Sequence, residues 1–306
     1  MKKSFIYKLI AYIPKRVMNA LGFGTLSFFF YDWSRYLKFS RKEAHKTKFG
    51  ALTDLTMAYH VLEKGLTMPE RRLGFGQAQV IKVATMCKNF ANKFGIEEAQ
   101  WKCAVEILAE YDLLHKTEKF SLNAETQLSL NSVLSKYKTV PSQQIKMTRE
   151  RYFSKLDAPF EIFSASRHSV RHFAGTISDE QIKNAVVLAN NAPSACNRQY
   201  VRVHCIRDKK QIADCLALQN GNRGFGHLAD KLLIVTADQR GLCWAQERND
   251  LFTNAGIYIM NLCYALHKNK VAHCLLNWSV APATDLALRR VLTLGGGGGG
   301  YIPLKA

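Results

Sequence analysis

Two short strings in the second half of the chain carry side chains suited to holding a charged, ring-bearing molecule. The first, Ser166-Arg167-His168-Ser169-Val170-Arg171-His172-Phe173, places two guanidiniums and a hydroxyl within five residues. Guanidinium forks match the oxygens of a phosphate and a serine adds a donor, so such a loop can clamp an anion. A solvated basic loop would have the same composition. The second string, Asn191-Ala192-Pro193-Ser194-Ala195-Cys196-Asn197-Arg198-Gln199, has a turn fixed at Pro193. Asn197 and Gln199 each offer a donor and an acceptor, which suits a heterocyclic edge of mixed amide and carbonyl groups. Taken alone, an ordinary polar turn reads the same way.

Regular elements must hold these strings in place. Between them the pattern predicts a helix over 179–190, with Ser178 as N-cap and Gln181 three residues later to satisfy free amides at the helix start. Short β-rich runs at 201–206, 232–236 and 272–278 predict strands, separated by helix-like segments. A longer helix is predicted over 248–268. Leu251, Ala255, Tyr258, Ile259, Leu262 and Leu266 give it an apolar face, and Ala255 and Gly256 leave room for a second helix. That face suits contact with a second copy or burial inside one subunit equally well. The first half, from 42 to about 138, recurs at three- and four-residue steps and reads as helices, with a linker over 136–144.

In this order, about 25 residues apart, the two strings resemble the opening of the nitroreductase family: Arg-x-Ser-x-Arg-x-Phe, a helix, then Ala-Pro-Ser-x-x-Asn-x-Gln. The resemblance continues through Leu232 to Asp238, Asn254-Ala255-Gly256 and Cys274 to Trp278, covering about residues 158–294. It implies an α+β fold, a nitroreductase-like mixed sheet flanked by helices, with FMN at a homodimer interface. The implied division is a basic, mostly α-helical N-terminal region at 1–150 and an FMN-binding domain at 151–306. The first string, His168 included, would hold the phosphate and ribityl chain. Arg167 and Ser169 would lie on the phosphate side. Arg171 would lie near the pyrimidine edge, where fixed positive charge stabilises electron density arriving on the ring. Pro193, Ser194, Asn197 and Gln199 would hold the ribityl chain or ring edge, and the backbone of Leu276 and Asn277 would approach the reactive face. The implied chemistry is hydride transfer from NADH or NADPH through flavin to a quinone or nitroaromatic-like acceptor. No catalytic residue is required beyond the flavin itself.

The helical half carries its own likeness. Tyr59-His60-Val61-Leu62-Glu63-Lys64-Gly65-Leu66, followed by Pro69, Arg71, Arg72 and Gly74-Phe75-Gly76, looks like an extension seen on some nitroreductase-like proteins. His60, Glu63 and Lys64 share one helix face, as a structural ion pair or as part of a site.

Composition narrows the classes. The net charge is +19, with 24 Lys and Arg against 13 Asp and Glu in residues 1–150. This favours anionic partners, but no nucleic-acid module or organised basic-aromatic pattern is present, so nucleic acid is not expected. Eight cysteines without a CxxC pair fit a reducing, cytoplasmic setting and no metal site. No secretory signal is evident. The charge-free run Val17 to Tyr31, rich in aromatics and flanked by Lys15 and Arg16, is too short to span a bilayer but has the composition of a membrane-surface segment. Gly221, Gly224 and Gly226 precede a strand, so they are no dinucleotide-binding fingerprint. Gly295 to Gly300 read as a flexible linker in place of the strand and basic segment that the resemblance implies, leaving a truncated C-terminus and an exposed sheet edge. A relative that had lost flavin would serve as a binding, scaffold or membrane-peripheral protein.

Overall fold

A computed structural model describes residues 22–40, 46–141, 147–292 and 301–303. The chain divides into two compact units that interleave in sequence. The first is Met1–Val61, Gln77–Leu113 and Leu122–Pro141; the second is Leu62–Gly76, Leu114–Ser121 and Ser142–Ala306.

The first unit is helical. It contains α1 (Phe23–Phe39), α2 (Lys48–Leu66) up to Val61, α3 (Gln77–Phe94), α4 (Ala99–Thr117) up to Leu113, and α5 (Ala124–Leu134). The Asn123 side chain caps α5 by accepting from the Thr126 amide at 2.8 Å. Val80, Val83, Ala84, Cys87 and Phe90 recur at helical spacing along α3 and are buried, as are Leu108 and Tyr111 of α4 and Leu130 and Val133 of α5, and α3 packs against α5. The buried Trp101 indole finds its partner in the Cys87 carbonyl at 3.0 Å. On α1 the large aromatics Phe29, Phe30, Trp33, Tyr36 and Phe39 are exposed.

The second unit is α+β. Its elements are α6 (Arg149–Tyr152), α7 (Phe160–Ser166), α8 (Asp179–Ala189), β1 (Val201–Ile206), α9 (Lys209–Ala217), β2 (Leu232–Asp238), α10 (Asp250–Lys268), α11 (Pro282–Val291) and β3 (Tyr301–Pro303). The sheet order is β1-β2-β3, and both pairings among the described strands are antiparallel. Successive residues of β2 point to opposite faces. Val235 and Ala237 enter a cluster with Ile182 and Ala185 of α8 and Leu251, Ala255 and Ile259 of α10. Ile234 enters another with Ile212 of α9 and Leu288 of α11. Both faces are covered, which is why β2 reads as a continuous apolar run instead of an alternating one.

Helix α8 has the expected capping box from Ser178 and Gln181. The face of α10 expected to serve a second copy or the interior is spent on the interior: Leu251, Ala255, Tyr258, Ile259, Leu262 and Leu266 are all buried in the α8-side cluster. Two expectations are corrected. Residues 272–278 form no strand; they run irregularly between α10 and α11. Their apolar spacing arises because Leu276 and Trp278 pack onto the α9 and α11 cluster, without a backbone ladder. The edge of β2 is covered over its last three residues, where Asp238, Ala237 and Thr236 pair with Tyr301, Ile302 and Pro303. The glycine run itself, Gly295 to Gly300, lies outside the described residues, as does the start of the predicted membrane-surface run, residues 17–21.

Candidate functional site

The first string is held from three sides within the second unit. The Tyr152 phenol, at the end of α6, donates to the His168 carbonyl at 2.9 Å and accepts from the His168 amide at 3.3 Å. Ser166 closes α7 by donating to the Phe163 carbonyl at 2.7 Å, and its hydroxyl stands 3.0 Å from Nε2 of the buried His267 on α10. The Val170 amide donates to the His273 carbonyl at 3.0 Å, which ties the loop to the segment after α10. Downstream, His172 Nε2 is 2.8 Å from the Thr67 carbonyl. These contacts fix the backbone while the side chains of His168 and Ser169 remain exposed.

The two guanidiniums of this loop are partly buried, and Nε of Arg167 and of Arg171 is fully covered without a hydrogen-bond partner. Neither arginine forms a salt bridge among the described residues, and Arg171 rests 5.9 Å from the ring centroid of buried Phe225. Burying charge without a partner costs free energy, so this arrangement suits an anion arriving from outside the chain. The buried imidazoles of His267 and His273 are held toward their neutral forms. Burial, reinforced by His273, Arg167 and His168, pulls His267 down to about 4, and burial likewise lowers His273. Burial raises the Cys274 thiol, against the pull of Arg171, Lys64 and a hydrogen bond with Ser169.

The second string is a tight turn with three non-glycine residues in left-handed conformation: Cys196 at φ 52°, Asn197 at φ 54° and Gln199 at φ 49°. Asn tolerates that region, but for Cys and Gln it costs on the order of 1–3 kcal/mol each and persists only where the surroundings over-determine it. Those surroundings are visible. The Asn197 amide donates to the Ser194 carbonyl at 2.9 Å and the Gln199 amide to Ser194 Oγ at 3.0 Å. Gln199 Nε2 donates to Asn197 Oδ1 at 2.9 Å, and the Ala195 amide to Asn254 Oδ1 of α10 at 2.8 Å. Arg198 is the main clamp. It donates to the Gly241 carbonyl at 2.7 Å and forks onto Glu247 at 2.9 and 3.0 Å. That fork, helped by the Cys243 amide, holds the Glu247 carboxyl down at about 2. Pro193, Asn197 and Gln199 stay exposed and Ser194 half-buried.

The structure orders each string but does not join them within one chain. No hydrogen bond or ion pair links them among the described residues. The first leans on His267 in the last turn of α10 and the second on Asn254 in its first turns. The separation between those two residues is roughly 20 Å along the axis at the helical rise. Of the third segment, Leu276 turns its side chain into the core, and the Asn277 carbonyl accepts from Gln219 Nε2 at 3.0 Å. The amides of Leu276 and Asn277 make no hydrogen bond among the described residues, which leaves them available to an acceptor.

Three features escaped sequence reasoning. Arg198 sat inside the second string, yet its partner Glu247 lies far along the chain and only the fold reveals the pair. Lys64, expected to pair with His60 or Glu63 on its helix face, instead donates from Nζ to the Gly221 carbonyl at 2.8 Å and lies beside Arg171 and Cys274. The third is a second apolar stripe on α10, opposite the buried one: Phe252, Ile257 and Met260 are exposed around Gly256, which has open space where a Cβ would stand.

Residues 165–238, which include both strings, α8, β1, α9 and β2, match the sequence model of the nitroreductase family. This chain carries a nitroreductase-family domain. No curated protein matches it significantly in sequence. Among solved structures, it is similar to an FMN-dependent nitroreductase from Clostridium difficile R20291, with 18% identity, a TM-score of 0.39, and coverage of 46% of this chain and 81% of that one. It is also similar to a nitroreductase family protein from Clostridium novyi NT, with 13% identity, a TM-score of 0.41, and coverage of 48% and 81%. The nitroreductase-family stretch lies in the α+β unit, and the left-handed turn and the unpaired arginines both fall inside it.

Proposed function

We propose that this chain is an FMN-dependent oxidoreductase that works as a homodimer, with 151–306 as the cofactor domain and 1–150 as a helical extension. The observation carrying this reading is the pair of partly buried guanidiniums, Arg167 and Arg171, whose covered Nε atoms have no partner. An anionic cofactor supplies what they lack. Arg167, His168 and Ser169 hold the phosphate end and Arg171 the pyrimidine edge of the ring. The free amides of Leu276 and Asn277 face the ring. Bound flavin would accept hydride from NADH or NADPH and pass it to a quinone or nitroaromatic-like acceptor. The chain's own part is to bind, orient and supply fixed positive charge.

A second copy reconciles the distance between the strings. If two α10 helices pack antiparallel through the exposed stripe centred on Gly256, Asn254 of one copy and His267 of the other stand roughly 14 Å apart along the axis, nearer than the roughly 20 Å within one chain. Pro193, Ser194, Asn197 and Gln199 of one copy and Arg167 and Arg171 of its partner then share one cofactor between them. The left-handed turn gives these polar groups a fixed presentation.

The test is direct. Protein purified from cells, or mixed with FMN and desalted, is expected to show the absorption of bound flavin, which bleaches when NADH or NADPH is added without air. A colourless protein that retains no added FMN rejects the reading. The eight free cysteines accord with a reducing, cytoplasmic setting.

A second reading concerns α1. No helix among the described residues is long and apolar enough to cross a membrane. The exposed aromatics of α1, with Arg35 and Lys38, nonetheless suit a membrane surface. Flotation with anionic liposomes is expected to carry the protein upward at low salt and to lose it at high salt. Absence of binding at low salt removes this role.

A further inference from the structure

Lys64 belongs to the last turn of α2, well before the family-matched stretch, yet it sits in the same compact unit as that stretch. The segment carrying it is built into that unit. Gly65 lets the Phe75 ring approach so closely that a Cβ there would collide with it. Phe75 in turn packs beside His115, whose Nε2 accepts from the Gly74 amide at 2.9 Å. Thr67 meets His172, and Gly224 takes a left-handed φ of 83° where Met68 Sδ lies 2.8 Å from its Cβ position. The position of Lys64 is therefore set by packing on both sides.

The only hydrogen bond of its Nζ among the described residues goes to the Gly221 carbonyl, which neutralises no charge. Arg171 approaches the same 221–226 loop, 5.9 Å from the Phe225 ring, with its neighbour His172 against the Thr67 carbonyl; it has no salt bridge among the described residues and a covered, unpartnered Nε. The Ser169 hydroxyl reaches the same place through Cys274. Burial and the Arg171 charge both disfavour the ammonium form of Lys64, so the pair of cations is unfavourable as it stands. A fold that brings two like charges to one loop, with no carboxylate paired to either among the described residues, is arranged for a negative charge that is not part of the chain.

We propose that Lys64 is a cofactor-binding residue that pairs with Arg171 on one negative charge of the flavin nucleotide. This rests on the flavin reading above and adds to it a cation from the helical extension. The negative charge is either the phosphate or the ring edge that gains electron density on reduction, and the two are separable. Lys64→Met and Lys64→Arg are compared with the unaltered chain for affinity toward FMN and toward riboflavin by flavin fluorescence, and for the midpoint potential of bound flavin. If the charge is the phosphate, Lys64→Met weakens FMN about tenfold and leaves riboflavin unchanged. If it is the ring edge, both flavins weaken alike and the midpoint potential falls, because a nearby cation stabilises the reduced form. In either case Lys64→Arg restores most of the effect, which a purely packing role would not predict. Unchanged affinities and potential in Lys64→Met overturn this inference alone. An unaltered chain that binds no flavin overturns it together with the reading beneath it.

Discussion

Replacing Arg171 with Ala is expected to weaken FMN binding by roughly 10- to 100-fold, measured by quenching of flavin fluorescence on titration. A hydrogen bond to a charged group contributes about 1.5–3 kcal/mol, and each 1.4 kcal/mol is about a factor of ten in affinity. The Arg171 guanidinium has little else to do. It forms no ion pair among the described residues, its Nε is covered without a partner, and its one recorded neighbour of opposite electrostatic character is the face of Phe225 at 5.9 Å. Removing it should therefore leave the folded state as stable as before or slightly more so, because an unpaired, partly desolvated charge disappears. A ligand role predicts lost affinity with retained thermal stability; a structural role predicts the reverse. Arg171→Lys keeps the charge and loses the fork, so it should fall between the two. FMN affinity unchanged in Arg171→Ala would remove the central support for the cofactor assignment.

The sequence shows the α+β unit more clearly than it shows the site. Helix α8 is marked by a local signal, Ser178 with Gln181, and local signals survive into the structure unchanged. Strands β1 and β2 are marked by β-branched and apolar runs that no competing pattern obscures. The run at 272–278 misleads because alternation records which side chains turn inward, and Leu276 and Trp278 are half-buried against the core without any strand to pair with. The same limit hides the functional contacts. Nothing near Arg198 indicates Glu247, and nothing near Lys64 indicates Arg171 or Gly221, since these neighbours are created by chain folding over long separations. The motif strings identify which polar groups are available. They do not say that the two strings approach opposite ends of one helix, and that placement is what makes a second copy necessary to the proposed site.

Helix α10 allows that necessity to be tested with a single side chain. Gly256 is exposed, mid-helix and has open space around its Cβ position, so Gly256→Arg should fold without strain. Replacing a helix-interior glycine by a better helix former contributes about 1 kcal/mol in favour of the isolated chain. In a dimer packed through Phe252, Ile257 and Met260 the same arginine would stand in the contact, where a bulky charge both separates the helices and loses its water. The expected result is a monomer by sedimentation or light scattering, with thermal stability of the flavin-free chain equal or higher. That monomer should also fail to retain FMN after desalting, although no residue of either string has changed, because the Ser194–Gln199 turn of the second copy no longer shares the cofactor with Arg167 and Arg171. The coupling of the two losses is the decisive point. A variant that stays dimeric would place the contact elsewhere, and a monomer that keeps its flavin would mean that one chain closes the site by itself.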